Sequence, residues 1–171
     1  MSMRKWMEKF YPTPASQIPR EEAIDHSIRK WEGLTKSNRK RFNIRAINWH
    51  DQHVAGSMLF STDSPADDPD LTISWSSCAL CNAFGNKQAI GNHPAINWHD
   101  QHARFCMGCP LALSRGGVPC DVLAKGETAS PWAKWIGDND PRPMIVALKR
   151  AKRMGLDKQS LRVKAMVEAQ A

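Results

Sequence analysis

The chain has 171 residues, with 24 Lys and Arg against 17 Asp and Glu and a net charge of +7. This length fits one domain, and five cysteines, an odd number, exclude a complete set of internal disulfides. Because the first ten residues are charged, and because no apolar run is long enough to span a membrane, we expect a cytoplasmic protein with reduced thiols and no membrane partner.

Basic residues are concentrated at the two ends of the chain. Residues 1–45 carry eleven Lys and Arg against five Asp and Glu, residues 46–140 five against ten, and residues 141–171 eight against two. Basic segments on both sides of an acidic centre suit contact with phosphate groups, although two solvated helix faces would give the same pattern. We predict a single domain, 1–171, made of a basic helical arm, an acidic core and basic C-terminal helices.

The N-terminal arm is predicted to form a helical hairpin. Prolines make the start of the chain extended, and a helix then runs from Pro19 to a natural stop at Gly33. Thr35 is placed to cap a second helix over residues 36–42. The side chains of this arm that we expect to contact nucleic acid are Arg39, Lys40, Arg41 and Arg45.

A polar, proline-broken loop over residues 61–70 precedes a predicted strand over residues 71–75. In this strand Leu, Ile and Trp alternate with Thr and Ser, which is the period of a half-buried strand. The strand leads directly into Cys78, as strands often do before a zinc knuckle.

The C-terminal part is predicted to be helical. Ser130 followed by Pro131 is typical of a helix start, and a longer helix begins near Pro141 and ends before Gly155. A last helix is predicted over residues 160–169. The basic side chains of this part that we expect to contact nucleic acid are Lys149, Arg150, Lys152 and Arg153.

Two Cys-x-x-Cys pairs predict a structural Zn²⁺ site. Cys78, Cys81, Cys106 and Cys109 can close a tetrahedral site, although the 24 residues between the pairs exceed the usual spacing. An iron–sulfur cluster is a minor alternative, because Pro follows Cys109. Candidate additional ligands are Cys120, His99 and His102.

The eight residues 46–53, Ala-Ile-Asn-Trp-His-Asp-Gln-His, recur letter for letter as residues 95–102. Each copy places two histidines three residues apart, which would share one face of a helix. Because four cysteines already complete a zinc site, we interpret these histidines as a polar helix face. The repeat is a local duplication or an error in the recorded sequence.

Several of these residues together resemble a group of small bacteriophage and prophage proteins of uncharacterised function. The pattern consists of the two cysteine pairs, Pro110, the Gly-Gly-Val-Pro step before Cys120, and Ser130-Pro131-Trp132 with Trp135. It covers about residues 20–155 and does not include the repeat. The resemblance implies phage origin, hence the host cytoplasm, and a metal knuckle, with no activity to carry over.

We therefore predict an α+β, mainly helical protein with a small zinc-knuckle core containing short strands, flanked by an N-terminal helical hairpin and basic C-terminal helices. Its predicted function is that of a zinc-stabilised phage accessory protein. It would bind nucleic acid, or a host protein or ribonucleoprotein complex, and could thereby inhibit a host defence system.

Two other functions are also compatible with these residues. The Cys-x-x-Cys-Asn stretch is similar to that of zinc-bearing His-Asn-His endonucleases, in which case His50, His53 and Asn82 would serve catalysis. The order His-Asp rather than Asp-His argues against this reading, and we expect no enzyme. Trp49 and Trp98, which occupy identical contexts, could instead anchor a protein partner.

Overall fold

The computed structural model describes residues 2–47, 58–62, 71–73, 78–85, 106 and 108–156. The helices of this part are α1 (Met3–Phe10), α2 (Ala23–Gly33), α3 (Lys36–Phe42), α4 (Ala79–Phe84), α5 (Pro110–Leu113), α6 (Pro131–Asp138) and α7 (Arg142–Arg153). Short 3₁₀ turns at Ala15–Gln17 and Arg20–Glu22 connect α1 to α2. The strands are β1 (Ile44–Ile47), β2 (Met58–Thr62) and β3 (Leu71–Ile73).

Helix α1 is an element that the sequence reading missed, because the prolines after it suggested an extended start. Met3, Trp6 and Phe10 recur at helical spacing, and all three side chains are buried. The hydroxyl of Ser2 accepts a hydrogen bond from the Lys5 amide and so caps the first turn. The N-terminus is therefore part of the protein core.

The three strands form one antiparallel sheet in the order β1-β2-β3. Ile44 pairs with Thr62 at one end of the first ladder, and Met58 pairs with Ile73 at one end of the second. The predicted strand extended to residue 75 and led directly into Cys78. Residues 74–77 and the loop residues 63–70 lie outside the described part.

The predicted fold class, a zinc-knuckle core with short strands between two helical arms, is wrong. The described structure is mainly helical, and helices from both predicted arms and from residues 46–140 build its buried core. Trp31 of α2 stands edge-to-face against Trp135 of α6, with ring centroids 5.0 Å apart. Within the described residues, no group of three His, Cys, Asp or Glu side chains is positioned to hold a metal ion.

The physical reason for this difference is the apolar area that the helices carry. Trp6 of α1, Ile24 of α2 and Leu148 of α7 are at most 1% exposed. Burying side chains of this size contributes about 1.5–3 kcal/mol each. Helices that bear such side chains pack together as the core.

Helix α2 ends at Gly33 and Thr35 is the N-cap residue of α3, both as predicted, but the Thr35 side chain makes no capping hydrogen bond to α3. The Thr35 hydroxyl donates a 2.8 Å hydrogen bond to the Glu32 carbonyl, and the Asn38 amide donates to the same oxygen at 2.8 Å. Both side chains satisfy the open C-terminus of α2. They therefore fix the turn between α2 and α3 through hydrogen bonds to a carbonyl oxygen of α2.

Two predictions for the C-terminal part are confirmed. The Ser130 hydroxyl accepts a 3.1 Å hydrogen bond from the Ala133 amide, with Pro131 at the first helical position. Helix α7 lies between Pro141 and Gly155, where Gly155 has a φ of +66°. The predicted helix over residues 160–169 lies outside the described residues.

Helix α7 packs antiparallel to α2. Lys152 lies 2.5 Å from Asp25 at the start of α2, whereas Lys149 lies 2.6 Å from Glu32 near its end. The apolar side chains of α7 that face the core are Met144, Leu148 and Ala151.

None of the helices in the described ranges is both long and apolar enough to cross a membrane.

Candidate metal centre and basic surfaces

Each Cys-x-x-Cys pair is located at the N-terminus of a short helix. Cys78 is the N-cap residue of α4, and Cys109 is the N-cap residue of α5. The Cys109 amide donates a 2.9 Å hydrogen bond to the Cys106 carbonyl, which turns the second pair back on itself. A Cβ on Gly108 would lie 3.3 Å from the Phe84 carbonyl oxygen, so the second pair lies directly against the end of α4.

The five cysteines converge on one another. None of them forms a disulfide. The thiol of Cys81 forms a hydrogen bond with Cys78, and the charge of Cys78 acts on the three remaining thiols. Cys120, which lies outside both pairs, also interacts with Cys109 and Cys106. The four predicted ligands and the candidate fifth, called the cysteine cluster below, are therefore near enough to interact electrostatically, but no three of them are positioned to hold a metal ion.

The side chain of Lys30 lies beside this cysteine cluster and is 0% exposed. Burial lowers the pKa of Lys30, whereas the neighbouring thiols of Cys78, Cys81 and Cys120 raise it. A buried ammonium needs an anionic partner, because removing an isolated charge from water costs several kcal/mol. Cys78, Cys81 and Cys120 can supply negative charge that acts on Lys30.

Sequence reasoning missed Lys30, although a signal for it exists. Ala23, Ser27 and Lys30 follow one another at helical spacing, and all three are buried. A row of two small residues allows a neighbouring element to approach α2 closely, and Lys30 continues that row. Lysine is normally assigned to a solvated face, so its burial was not predicted.

The thiols of the cysteine cluster have divergent acidities. The hydrogen bond with Cys81 and, to a smaller extent, the charge of Lys30 lower the pKa of Cys78 to about 5. The same hydrogen bond raises the pKa of Cys81. Burial raises the pKa of Cys106 and of Cys109 to about 12. In the absence of a metal, Cys78 is therefore the thiol that ionises first.

Asn82, a candidate catalytic residue under the endonuclease hypothesis, makes two hydrogen bonds within its own helical turn. Its side-chain amide donates a 3.0 Å hydrogen bond to the Cys78 carbonyl, and its backbone amide donates to the same oxygen at 3.1 Å. This contact closes the first turn of α4. The histidines of the two repeat copies, His50, His53, His99 and His102, lie outside the described residues.

The predicted basic residues of the N-terminal part have different environments. Arg39 is half-buried, and its guanidinium donates a 3.2 Å hydrogen bond to the Asn139 carbonyl at the end of α6. Arg41 is exposed and lies 5.8 Å from the ring centroid of Phe42. Lys40 is exposed, and the side chain of Arg45 lies outside the described part. Arg39 therefore joins α3 to α6 instead of facing solvent.

The four predicted basic residues of α7 divide into two pairs. Lys149 and Lys152 form ion pairs with Glu32 and Asp25 of α2. Arg150 and Arg153 are exposed, and within the described residues neither forms an ion pair. Arg142 pairs with Asp140, so the positive charge that α7 offers to a partner is concentrated on Arg150 and Arg153.

No protein family, characterised protein or solved structure matches this chain.

Proposed function

We propose that this protein is stabilised by a Zn²⁺ ion in the cysteine cluster and binds nucleic acid through its basic surface. The buried amino group of Lys30, which interacts with three of five disulfide-free cysteines, is the observation that carries the metal part of this proposal. The exposed arginines of α7 support the nucleic-acid part.

The donor chemistry of the cysteine cluster fits a soft metal ion. Thiolates prefer Zn²⁺ and similar ions over hard cations. Four thiolates around Zn²⁺ leave a net charge of about −2, and burying this charge requires nearby cations or hydrogen-bond donors. A protonated Lys30 would offset one of these charges.

The described arrangement of the cysteines does not yet place three of them to hold an ion, so metal binding would draw the thiols together. Both pairs are located at helix N-termini, where backbone amides also favour negative charge on sulfur. When bound, Zn²⁺ would link α4, α5 and the loop that carries Cys120. Metal binding is then coupled to the stability of the fold.

The metal part is tested by elemental analysis of the purified protein and of single variants. We expect one zinc per chain, lost in Cys78→Ser and Cys109→Ser and retained in His99→Ala and His102→Ala. Cys120→Ser decides whether the fifth cysteine is a ligand. A wild-type protein purified without chelators that contains no zinc and gains none on titration would contradict the metal proposal.

The nucleic-acid part is tested by fluorescence anisotropy with labelled DNA and RNA oligonucleotides. Since phosphate contacts release counterions, we expect the affinity for the oligonucleotides to fall steeply as the salt concentration rises from about 50 mM to about 200 mM. No measurable binding at the lower salt concentration would contradict it. Phage origin and action on a host defence complex stay predictions from the sequence.

A further inference from the structure

A cleft lies beside α7 on the surface away from α2. It has a volume of about 370 Å³ and is bounded by α6, by α7 and by the loop that follows α5. Three cations line the cleft, namely Lys134 of α6, Arg150 of α7 and Arg115, which is paired with Glu127. The sequence reading included Arg150 in a basic cluster but gave no role to Lys134.

One wall of the cleft is a loop that Arg115 holds in shape. The Arg115 guanidinium donates to the carbonyl oxygens of Val118, Pro119 and Val122, and to both carboxylate oxygens of Glu127. Only 6% of the Arg115 side chain is exposed. The wall is therefore fixed by charge-assisted hydrogen bonds from a largely buried guanidinium and does not need a ligand to form.

The acidic groups near the cleft are already paired. Glu127 accepts from Arg115 at 2.6 Å and from the Ala124 amide at 3.2 Å. Asp140, whose charge interacts with Lys134, accepts two hydrogen bonds from the Arg142 guanidinium at 2.8 and 2.9 Å. Once each carboxylate is offset by its arginine, Lys134 and Arg150 give the cleft a net positive charge.

The remaining lining of the cleft is apolar or small. Pro131, Pro143 and Val146 contribute apolar surface, and the Val146 side chain is 63% exposed. Thr128 adds a hydroxyl that can donate a hydrogen bond. A cleft lined by both cations and apolar side chains suits a group with a charged phosphate and a less polar sugar.

We infer that this cleft binds a sugar–phosphate unit of a nucleic-acid strand, with Arg150 and Lys134 contacting the phosphate. Its volume lies near the lower end of the range of about 300–1,000 Å³ for small-molecule sites, which suits one nucleotide unit. The guanidinium of Arg150 can engage two phosphate oxygens at once, whereas Lys134 supplies a point charge. The inference rests on the proposed nucleic-acid binding and assigns it a location.

The test compares two double variants with the same change in charge. In Arg150→Gln/Lys134→Gln both cleft cations are removed. In Lys5→Gln/Lys9→Gln two exposed lysines of α1, outside the cleft, are removed. Binding of a labelled single-stranded 20-mer, an oligonucleotide of about 20 nucleotides, is measured by fluorescence anisotropy across a salt series. Thermal unfolding checks that each variant remains folded.

For the cleft variant we expect a loss of affinity on the order of tenfold or more and a salt slope smaller by about 1 per phosphate contact removed. For the α1 variant we expect a change of about twofold or less. Equal losses in both variants, or an unchanged affinity in the cleft variant, would overturn the inference while leaving nucleic-acid binding intact. A wild-type protein that binds no oligonucleotide would overturn both.

A second arm distinguishes a polymer from a free phosphate compound. Inorganic phosphate and a nucleoside monophosphate are titrated against the bound 20-mer. We expect both to compete only at concentrations at least about a hundredfold above that of the oligonucleotide, because a single phosphate releases few counterions. Competition at equal concentration would overturn the assignment to a strand.

Discussion

The indole Nε1 of Trp6 donates a 2.8 Å hydrogen bond to the carbonyl oxygen of Gly33. Both groups are buried, and the bond joins α1 to the last residue of α2 across 27 positions of the chain. The two helices can approach this closely because Gly33 has no side chain. A Cβ at this position would lie 2.6 Å from Cγ of Phe10 and 2.8 Å from Nε1 of Trp6.

Replacing Gly33 with alanine should therefore destabilise the protein. The added methyl would push Phe10 and Trp6 out of a packed core, and overpacking of this kind costs about 1–3 kcal/mol. Gly137→Ala is the matched control, because nothing lies within 4 Å of a Cβ at that helical position. We expect the control to be neutral or more stable by up to about 1 kcal/mol. Urea denaturation measures both, and an equal effect in the two variants would contradict the packing argument.

The N-cap of α6 gives a second prediction. Ser130 is 2% exposed, and its hydroxyl accepts from the Ala133 amide at 3.1 Å. Ser130→Ala should lower the free energy of unfolding by about 1 kcal/mol, whereas Ser130→Thr should retain most of it. Ser2→Ala, which removes a longer and exposed cap bond of 3.5 Å, should have a smaller effect. Thermal or urea unfolding compares the three, and a larger loss at Ser2 would contradict this ranking.

The proposed counter-charge role of Lys30 gives a third prediction. Lys30→Met keeps a side chain of similar length and removes the positive charge beside Cys78. The zinc affinity should fall on the order of tenfold or more, since an uncompensated charge near a buried site costs at least about 1.4 kcal/mol. Competition with a chromophoric chelator measures the affinity. The control Lys36→Met, at an exposed position of α3, should leave it unchanged.

If Lys30→Met bound zinc as tightly as the wild type, the charge of Lys30 would not be balanced by metal-bound thiolates. Loss of folding is distinguished by circular dichroism with and without the metal. A Lys30→Met variant that folds only with zinc would still support the coupling between Lys30 and the zinc site.

The ion pair in the wall of the cleft predicts a dependence on pH. Hydrogen bonds from Arg115 lower the pKa of Glu127 below 4.5, its ordinary value. A lowered pKa in the folded state means that the carboxylate stabilises the protein above pH 4.5 and that this stabilisation is lost as the pH falls below the folded pKa. Glu127→Gln should therefore be less stable than the wild type at pH 7, with the difference shrinking at acidic pH. The free energies of unfolding of the two proteins, measured from about pH 3 to about pH 7, test this prediction. A difference between them that does not change with pH would contradict it.

Local signals in the sequence were sufficient for several elements. Ser130-Pro131 predicted the start of α6, and the apolar spacing with Gly155 predicted α7, because a helix start, face and stop depend on neighbouring residues alone. The same spacing was present in Met3, Trp6 and Phe10, but the prolines that follow suggested an extended start. In this segment the burial of these three side chains in the core stabilises a helix, which the local sequence signals did not predict.

The sequence by itself determined the residue types available for chemistry, namely two cysteine pairs, a fifth cysteine and basic clusters towards both ends. Only the tertiary structure decided how they are used. It placed Lys30 beside the thiols, joined Lys149 and Lys152 to the acidic side chains of α2, and left Arg150 to face a cleft with Lys134. Helical periodicity fixes which side chains share a face, whereas the partner of that face depends on contacts between residues far apart in the chain.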